Sequence, residues 1–438
     1  MRVLLARPTA LAVPAPPGLP AVPALRMKLA CVVHRFGAEI AGGSEGHCRL
    51  FAHKLAERHD VAVLTTTARD HVTWRNEHSP GRERMGAVNV VRFPVVRQRA
   101  IREFADLSER VFSGDASRTE QEEWFRANCP EAPDLLAHLS EHGTEYDWIL
   151  FWAFRYYQSF YGVPLVADRA VLLPTAEDDP AIRMAILGEF FSKPAGLAYL
   201  TPEERELVES KIAGRVPPSC VIGAGLDPAA PANARELGPV GVTPPYVLYL
   251  GRVDPNKGCE TLLRFFMRWT DAAAAHVPLV LAGPPNMPIP SHPALRTLGF
   301  VGPALRDALL AHASLLVMPS PYESLSMVLL EAWNRGVPAL VNARCQVLKG
   351  QAQRSGGALY YRNYDEFAAA LSTLVDHQSL GRELGAGGLA YVERYYRWPQ
   401  VMHTLESFLS RLRQGFGGAS PAREGFGGAN PEPLNPEP

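Results

Sequence analysis

The stretch Tyr246-Val247-Leu248-Tyr249-Leu250-Gly251-Arg252-Val253-Asp254-Pro255-Asn256-Lys257-Gly258 decides the fold. Its first five residues are a short, continuous apolar run, the pattern of a strand buried on both faces of a sheet. In the loop that follows, Asp254-Pro255-Asn256 predicts a turn that brings Arg252 and Lys257 to one side. Arg252 can fork two hydrogen bonds to phosphate oxygens, and Lys257 adds a point charge. Ligands of doubly wound α/β sheets gather at the carboxyl ends of strands. A loop in that place, with two cations between Gly251 and Gly258, suits a diphosphate. The plain alternative is a solvated loop with ordinary surface charges.

Outward from this stretch the same grammar repeats. Apolar runs at 279–282, 315–318 and 339–341 follow it, and runs at 29–33, 61–65, 88–93, 149–151 and 171–174 precede it, with helical segments such as 44–58 between. Strands alternating with helices predict parallel sheets covered on both faces. Gly223-Ala224-Gly225-Leu226-Asp227-Pro228 and the Ala/Pro-rich stretch to Pro245 read as a linker. The expected fold class is therefore α/β, with two doubly wound domains facing a cleft. The first covers 27–222 and the second 223–385.

The 438 residues carry 44 Lys and Arg against 45 Asp and Glu, a net charge of −1. That balance excludes bulk nucleic-acid binding, which needs a basic excess. The cysteines Cys31, Cys48, Cys129, Cys220, Cys259 and Cys345 are scattered without a C-x-x-C pair. They read as reduced thiols in a cytoplasmic protein, with contact to the inner face of the membrane left open. Apolar runs stop short of the roughly 18 residues that span a bilayer. Residues 1–26 hold no acids and are broken by Pro8, Pro14, Pro16, Pro17, Pro20 and Pro23, which suits a disordered extension better than a signal peptide. Residues 413–438 contain a repeated Gly/Pro-rich unit and read as a flexible tail.

A second constellation lies in Pro319-Ser320-Pro321-Tyr322-Glu323-Ser324-Leu325-Ser326-Met327-Val328-Leu329-Leu330-Glu331-Ala332, behind the 315–318 strand. A helix is predicted from near Ser326 to Gly336, with Glu323 in the loop before it, free to point into a cleft. The backbone N–H groups of Leu325, Ser326 and Met327 would then lie at a helix start, where anions bind. Glu331 falls inside the helix among Leu329, Leu330 and Trp333, so its carboxylate needs a polar partner. A ribose diol is one such partner; an exposed helix glutamate is the bland alternative.

G-R-x-D-x-x-K-G followed by P-S-x-x-E-(x)7-E-A resembles the donor half of the family 4 retaining glycosyltransferases of group 1 type, which have the GT-B fold of two Rossmann-like domains. The resemblance runs from residue 27 to residue 412, with Ser324 and Ser326 where many relatives carry glycine. It implies that Gly251, Arg252 and Lys257 hold the diphosphate of a nucleoside-diphosphate-sugar donor. By the same resemblance Glu331 holds the ribose, and Glu323 the transferred sugar's hydroxyls. It implies no cofactor and no metal, and a final helix that returns residues 386–412 to the first domain. The acceptor is a glycan, a lipid-linked molecule or a small molecule.

In the first half, Gly42-Gly43-Ser44-Glu45 follows strand one and resembles the family's glycine-rich loop, with Gly43 on the donor side; a helix-entry turn capped by Ser44 is the alternative. Glu177 and Asp178 in Thr175-Ala176-Glu177-Asp178-Asp179-Pro180 are acceptor-side candidates, one of them able to take the acceptor's proton. Asp179 before Pro180 predicts an N-cap with proline at N1. Arg155 with Tyr156 and Tyr157 lines the acceptor pocket or packs. Arg92, Arg97, Arg99 and Arg102 form a modest basic patch, either a solvated face or an attraction for an anionic acceptor or peripheral membrane contact. An epimerase or hydrolase on the same fold, and a non-catalytic sugar-nucleotide binding protein, are the rival functions.

Overall fold

The computed structural model describes residues 26–415 apart from 41, 274 and 275. The expected disordered ends 1–26 and 413–438 fall outside the described residues, except for residue 26 and the helix end at 413–415. The first half contributes β1 (Lys28–Val32), β2 (Asp60–Thr66), β3 (Gly81–Met85), β4 (Val88–Phe93), β5 (Trp148–Trp152), β6 (Ala170–Leu173), β7 (Gly196–Tyr199) and β8 (Ser219–Val221). The second contributes β9 (Val247–Leu250), β10 (Leu279–Ala282), β11 (Leu295–Gly299), β12 (Leu315–Met318), β13 (Ala339–Asn342) and β14 (Ala358–Tyr361).

These strands make two sheets, ordered β3-β4-β2-β1-β5-β6-β7-β8 and β11-β10-β9-β12-β13-β14. All pairings are parallel among the described strands except β3 with β4. The apolar runs of β9 and β12 are buried at every residue, as strands covered on both faces must be. In each sheet the strand order reverses beside the first strand of its half, β1 or β9. The loops leaving these strands therefore open onto a crevice.

Apolar residues fill both faces of each sheet. In the first half, Leu29, Val61, Leu150 and Val171 pack with Trp398, Val401, Leu405, Phe408 and Leu412. Those last residues belong to the helix Trp398–Gly415, so the chain's final helix is a layer of the first domain's core. A Cβ on Gly196 of β7 would sit 2.8 Å from both Phe408 and Leu412, so a side chain there would push the helix away. Tyr391 and Val392, on the preceding helix Gln378–Tyr395, instead pack in the second domain's core.

The chain thus crosses between halves twice, and the crossings touch: the Leu226 N–H donates to the Tyr396 carbonyl at 2.7 Å. The first crossing is anchored by His47. Its Nε2 lies 2.9 Å from the Gly223 carbonyl, and its Nδ1 accepts from the Trp152 indole at 2.9 Å. Burial pulls the His47 imidazole down to about 4, against the Gly223 carbonyl, which favours the charged form. The ring is therefore neutral, and it is the Nε2–H that donates.

Candidate active site

The loop after β9 is organised by Asp254, which is buried. Its Oδ1 accepts from Asn256 N–H at 2.9 Å, making the predicted turn. Its Oδ2 takes the Asn286 amide at 2.7 Å and the Arg252 Nε at 3.2 Å. The aspartate of the motif is thus the post on which the loop turns, and Arg252 is aimed by it. Gly258 has φ +74, and a Cβ there would lie 2.3 Å from the Pro319 carbonyl oxygen. The two motifs meet at this glycine, because only a residue without a side chain lets the β9 loop seat against the β12 loop.

That contact places Lys257 Nζ 2.9 Å from Glu323 Oε1. The lysine is one-third exposed and the glutamate 13% exposed, so the pair lies on a wall with access from outside. Burial lowers the Lys257 ammonium's affinity for its proton, but Glu323 and Glu177 outweigh that and hold it above the ordinary lysine value. Burial pushes the Glu177 carboxyl up, opposed by Arg155 and Lys257. Glu177 is therefore electrostatically part of the same cluster. Asp178 is not: it is exposed and pairs with exposed Arg183 at 3.5 Å. Arg155 pairs with Asp179 at 3.0 Å, while the other oxygen of Asp179 accepts the Ala181 N–H at 3.1 Å as an N-cap. Arg155 thus braces the Glu177 loop.

Glu331 has a cationic partner that sequence reading missed. Arg306, from the helix Pro303–His312, pairs with its Oε2. Burial pushes the Glu331 carboxyl up, and Arg306 opposes this. The helix holding Glu331 spans only Met327–Trp333, shorter than the expected run to Gly336. Two turns make a weak dipole, so Arg252 and Lys257 supply most of the positive potential. Ser326, its N-cap, has φ +78, a backbone that glycine adopts without strain. Leu325 and Met327 flank it at the helix start.

Arg252 also reaches the first domain, with Nη1 3.3 Å from His71 Nε2. No sequence pattern singled out His71. Gly43 opens the helix Gly43–Ala56, and a Cβ there would meet nothing within 4 Å. Internal packing therefore does not account for it. Ser44 does not cap this helix; Gly42 holds that position, and the Ser44 hydroxyl bonds Glu45 at 2.9 Å. Glu45 is buried between His34 and Arg35, with His34 Nε2 at 2.8 Å. Of the basic patch, Arg97 and Arg102 stay exposed, Arg99 is half-buried and Arg92 is buried. Arg92 is buried against Glu83, Arg97 pairs with Glu123 and Glu131, and Arg99 bonds Asn128; Arg102 is exposed.

Comparison with known proteins shows what this geometry is similar to. Residues 244–377 match the sequence model of the family described as Glycosyl transferases group 1. The match to this family lies wholly in the second half. Its matched span holds both motif loops, β9 through β14 and Arg306. The chain is 30% identical over 207 residues to a Mycobacterium tuberculosis protein, GDP-mannose-dependent alpha-(1-6)-phosphatidylinositol monomannoside mannosyltransferase. The match covers 42% of this chain and 51% of that protein, so the chain spans about half the length of the curated relatives it matches. Among solved structures, sucrose-phosphate synthase from Thermosynechococcus elongatus aligns with a TM-score of 0.67 at 16% identity, over 90% of this chain and all of that one. Anabaena HepE, solved with UDP and glucose, aligns with a TM-score of 0.61 at 15% identity, over the same shares. At these identities the likeness speaks for the fold, the two-domain GT-B architecture.

Among the described residues no helix is long and apolar enough to cross a membrane. All six cysteines are free and buried.

Proposed function

We propose that this chain transfers a sugar from a nucleoside-diphosphate sugar to an acceptor hydroxyl, with retention of anomeric configuration and without a metal. The observation that carries the reading is the Lys257–Glu323 ion pair beside Arg252, at the carboxyl ends of β9 and β12, with Glu177 behind β6 within its electrostatic reach. A departing diphosphate needs positive charge where its own charge grows. Arg252 and Lys257 supply it, with backbone N–H groups at Leu325, Ser326 and Met327 as further donors. Gly251 and Gly43 leave room for the phosphates from the two domains. Glu323 takes hydroxyls of the transferred sugar, and Glu331 takes the ribose alongside Arg306. Glu177, held towards its protonated form by burial, is suited to exchange a proton with the acceptor.

Retention is what the resemblance of the two motifs to a retaining family implies. The mycobacterial relative's name supports GDP-mannose as a donor and a lipid-linked sugar as an acceptor, and the HepE complex supports UDP-glucose. Work in the cytoplasm, at the inner face of a membrane, suits such an acceptor.

The test has two stages. First, UDP-, GDP- and ADP-sugars are screened for thermal stabilisation, which bound donor must produce. No stabilisation by any of them sinks the reading. Second, radiolabelled donor is followed with acceptors and with water alone, and the product anomer is assigned by NMR. Free sugar released equally fast without acceptor identifies a hydrolase, an inverted anomer removes retention, and loss of turnover on metal chelation removes metal independence.

A further inference from the structure

The helix Pro202–Glu209 begins with Thr201-Pro202-Glu203-Glu204, a sequence of capping-box form. In such a box the glutamate at the third helical position bonds back to the N-cap's own N–H. Glu204, on which the Thr201 N–H also acts, reaches further. One carboxylate oxygen accepts the Leu200 N–H at 2.6 Å, and the other accepts the Ala176 N–H at 2.7 Å, across from a different strand. The residue is fully buried, and burial pushes its carboxyl up to about 8 even with the N–H groups of Leu200, Ala176 and Thr201 favouring the charge. Burying a carboxylate is costly, and a surface cap would not require it.

The reason lies in the loop that Glu204 reaches. Thr175 holds φ +47, a left-handed conformation that is strained for a threonine. The twist turns the next N–H, that of Ala176, inward, where a buried donor must find an acceptor. Glu204 provides it, and the residue after Ala176 is Glu177. On the other side of the same turn, Thr201 Oγ1 accepts the Glu204 N–H at 3.1 Å and donates to the Ser324 carbonyl at 3.1 Å. Ser324 follows Glu323. A third contact, Glu203 with Arg354, ties the turn to the second domain nearer the surface.

We propose that Thr201 and Glu204 are positioning residues, a single buried turn that sets the Glu177 loop of one domain against the Glu323 loop of the other. The pair fixes the relative placement of acceptor-side and donor-side acids whenever the halves are closed. Its catalytic consequence rests on the transferase reading above; its structural content does not. Deletion of the Glu204 link frees the Glu177 loop and leaves the donor-binding residues in place, whereas deletion of the Thr201 link loosens the Glu323 loop itself.

The experiment uses the full chain with Glu204→Gln, Thr201→Val and Thr201→Ser. The glutamine of E204Q retains the shape but has only one oxygen for two N–H groups. The valine of T201V cannot donate to the Ser324 carbonyl, whereas the serine of T201S can. Hydrogen exchange is measured over 174–178 and 322–326, with donor affinity by thermal shift, and kcat, KM and the ratio of donor hydrolysis to transfer. We expect faster exchange at 174–178 in E204Q and at 322–326 in T201V. Donor affinity should stay within threefold in E204Q, transfer kcat should fall at least tenfold in both E204Q and T201V with hydrolysis rising relative to transfer, and T201S should restore the kcat and the transfer ratio. Unchanged exchange in the folded variants overturns the proposal whatever the activity. A parallel fall of donor affinity and kcat in T201V, unrescued by T201S, also overturns it. Altered exchange in a protein that binds no sugar nucleotide leaves the strut standing and refutes the transferase reading instead.

Discussion

Lys257 and Glu323 are brought to 2.9 Å by a glycine that belongs to neither: Gly258 lies against the Pro319 carbonyl and seats one motif loop on the other. The cation meant for a phosphate and the acid meant for a sugar therefore form one unit. Substitution of Lys257 by Met, or of Glu323 by Gln, should lower transfer kcat on the order of 100-fold, the scale of losing one aimed charge in an active site. Steady-state rates of both single variants and the double variant check the coupling. The double variant should lose less than the product of the singles, because each single change already breaks the pair. Fully multiplicative losses would show the two act independently.

Arg306 makes Glu331 part of an ion pair rather than a lone acid. Glu331→Gln should weaken donor binding about tenfold, or about 1.4 kcal/mol, with kcat nearly unchanged, as expected for a contact made equally in ground and transition states. Titration calorimetry with the donor found by screening gives the number. Arg306→Ala should lower the urea midpoint as well as donor affinity, because Glu331 then stays partly buried without its cation.

Ser326 holds φ +78 at the start of the Glu331 helix. A non-glycine residue in that conformation costs about 1 kcal/mol, whereas replacing a serine N-cap by glycine costs only a few tenths. Ser326→Gly should therefore raise the urea midpoint slightly. A lowered midpoint would mean that the serine hydroxyl, which accepts the Leu329 N–H at 3.4 Å, outweighs the strain.

The neutral His47 makes stability depend on pH in a definite direction. Its folded pKa of about 4 lies below the 6.5 of the unfolded chain, so the unfolded state binds more protons between those values. The contribution is fully present above pH 6.5 and is lost as pH falls towards 4. Lowering the pH from 8 to 5 should remove about 2 kcal/mol through this one ring. Chemical denaturation at both pH values should show a smaller drop for His47→Gln than for the unsubstituted chain. An equal drop would place the acid sensitivity elsewhere.

What was legible in the sequence follows from what is local in the molecule. β9 and β12 announce themselves as apolar runs because both faces are buried, and Arg252 to Gly258 can be read because one turn contains them. β3 is the opposite case: Gly81–Met85 is an edge strand of exposed, mostly charged residues, attached to β4 by its backbone and by the Glu83–Arg92 pair. β11 is likewise half polar, and β8 is three residues long. Within the site, His71 meets Arg252 across 181 positions of chain, and Thr201 meets Ser324 across 123. Such contacts are set by how the halves close, which no local periodicity records. The partners of the basic patch were hidden for a related reason, since charge in a sequence does not reveal that Arg92, Arg97 and Arg99 are engaged with neighbours.

The helix Trp398–Gly415 carries a consequence for how the molecule is born. Its Phe408, Leu409 and Leu412 close the core around β1, β5 and β6, and Glu406 locks it there through Arg58 and His59. A ribosome adding roughly 5–20 residues each second finishes the first sheet long before that helix emerges. The first domain must wait, with one face of its sheet uncovered, while the whole second domain is made. The half that is translated first is the half that is completed last.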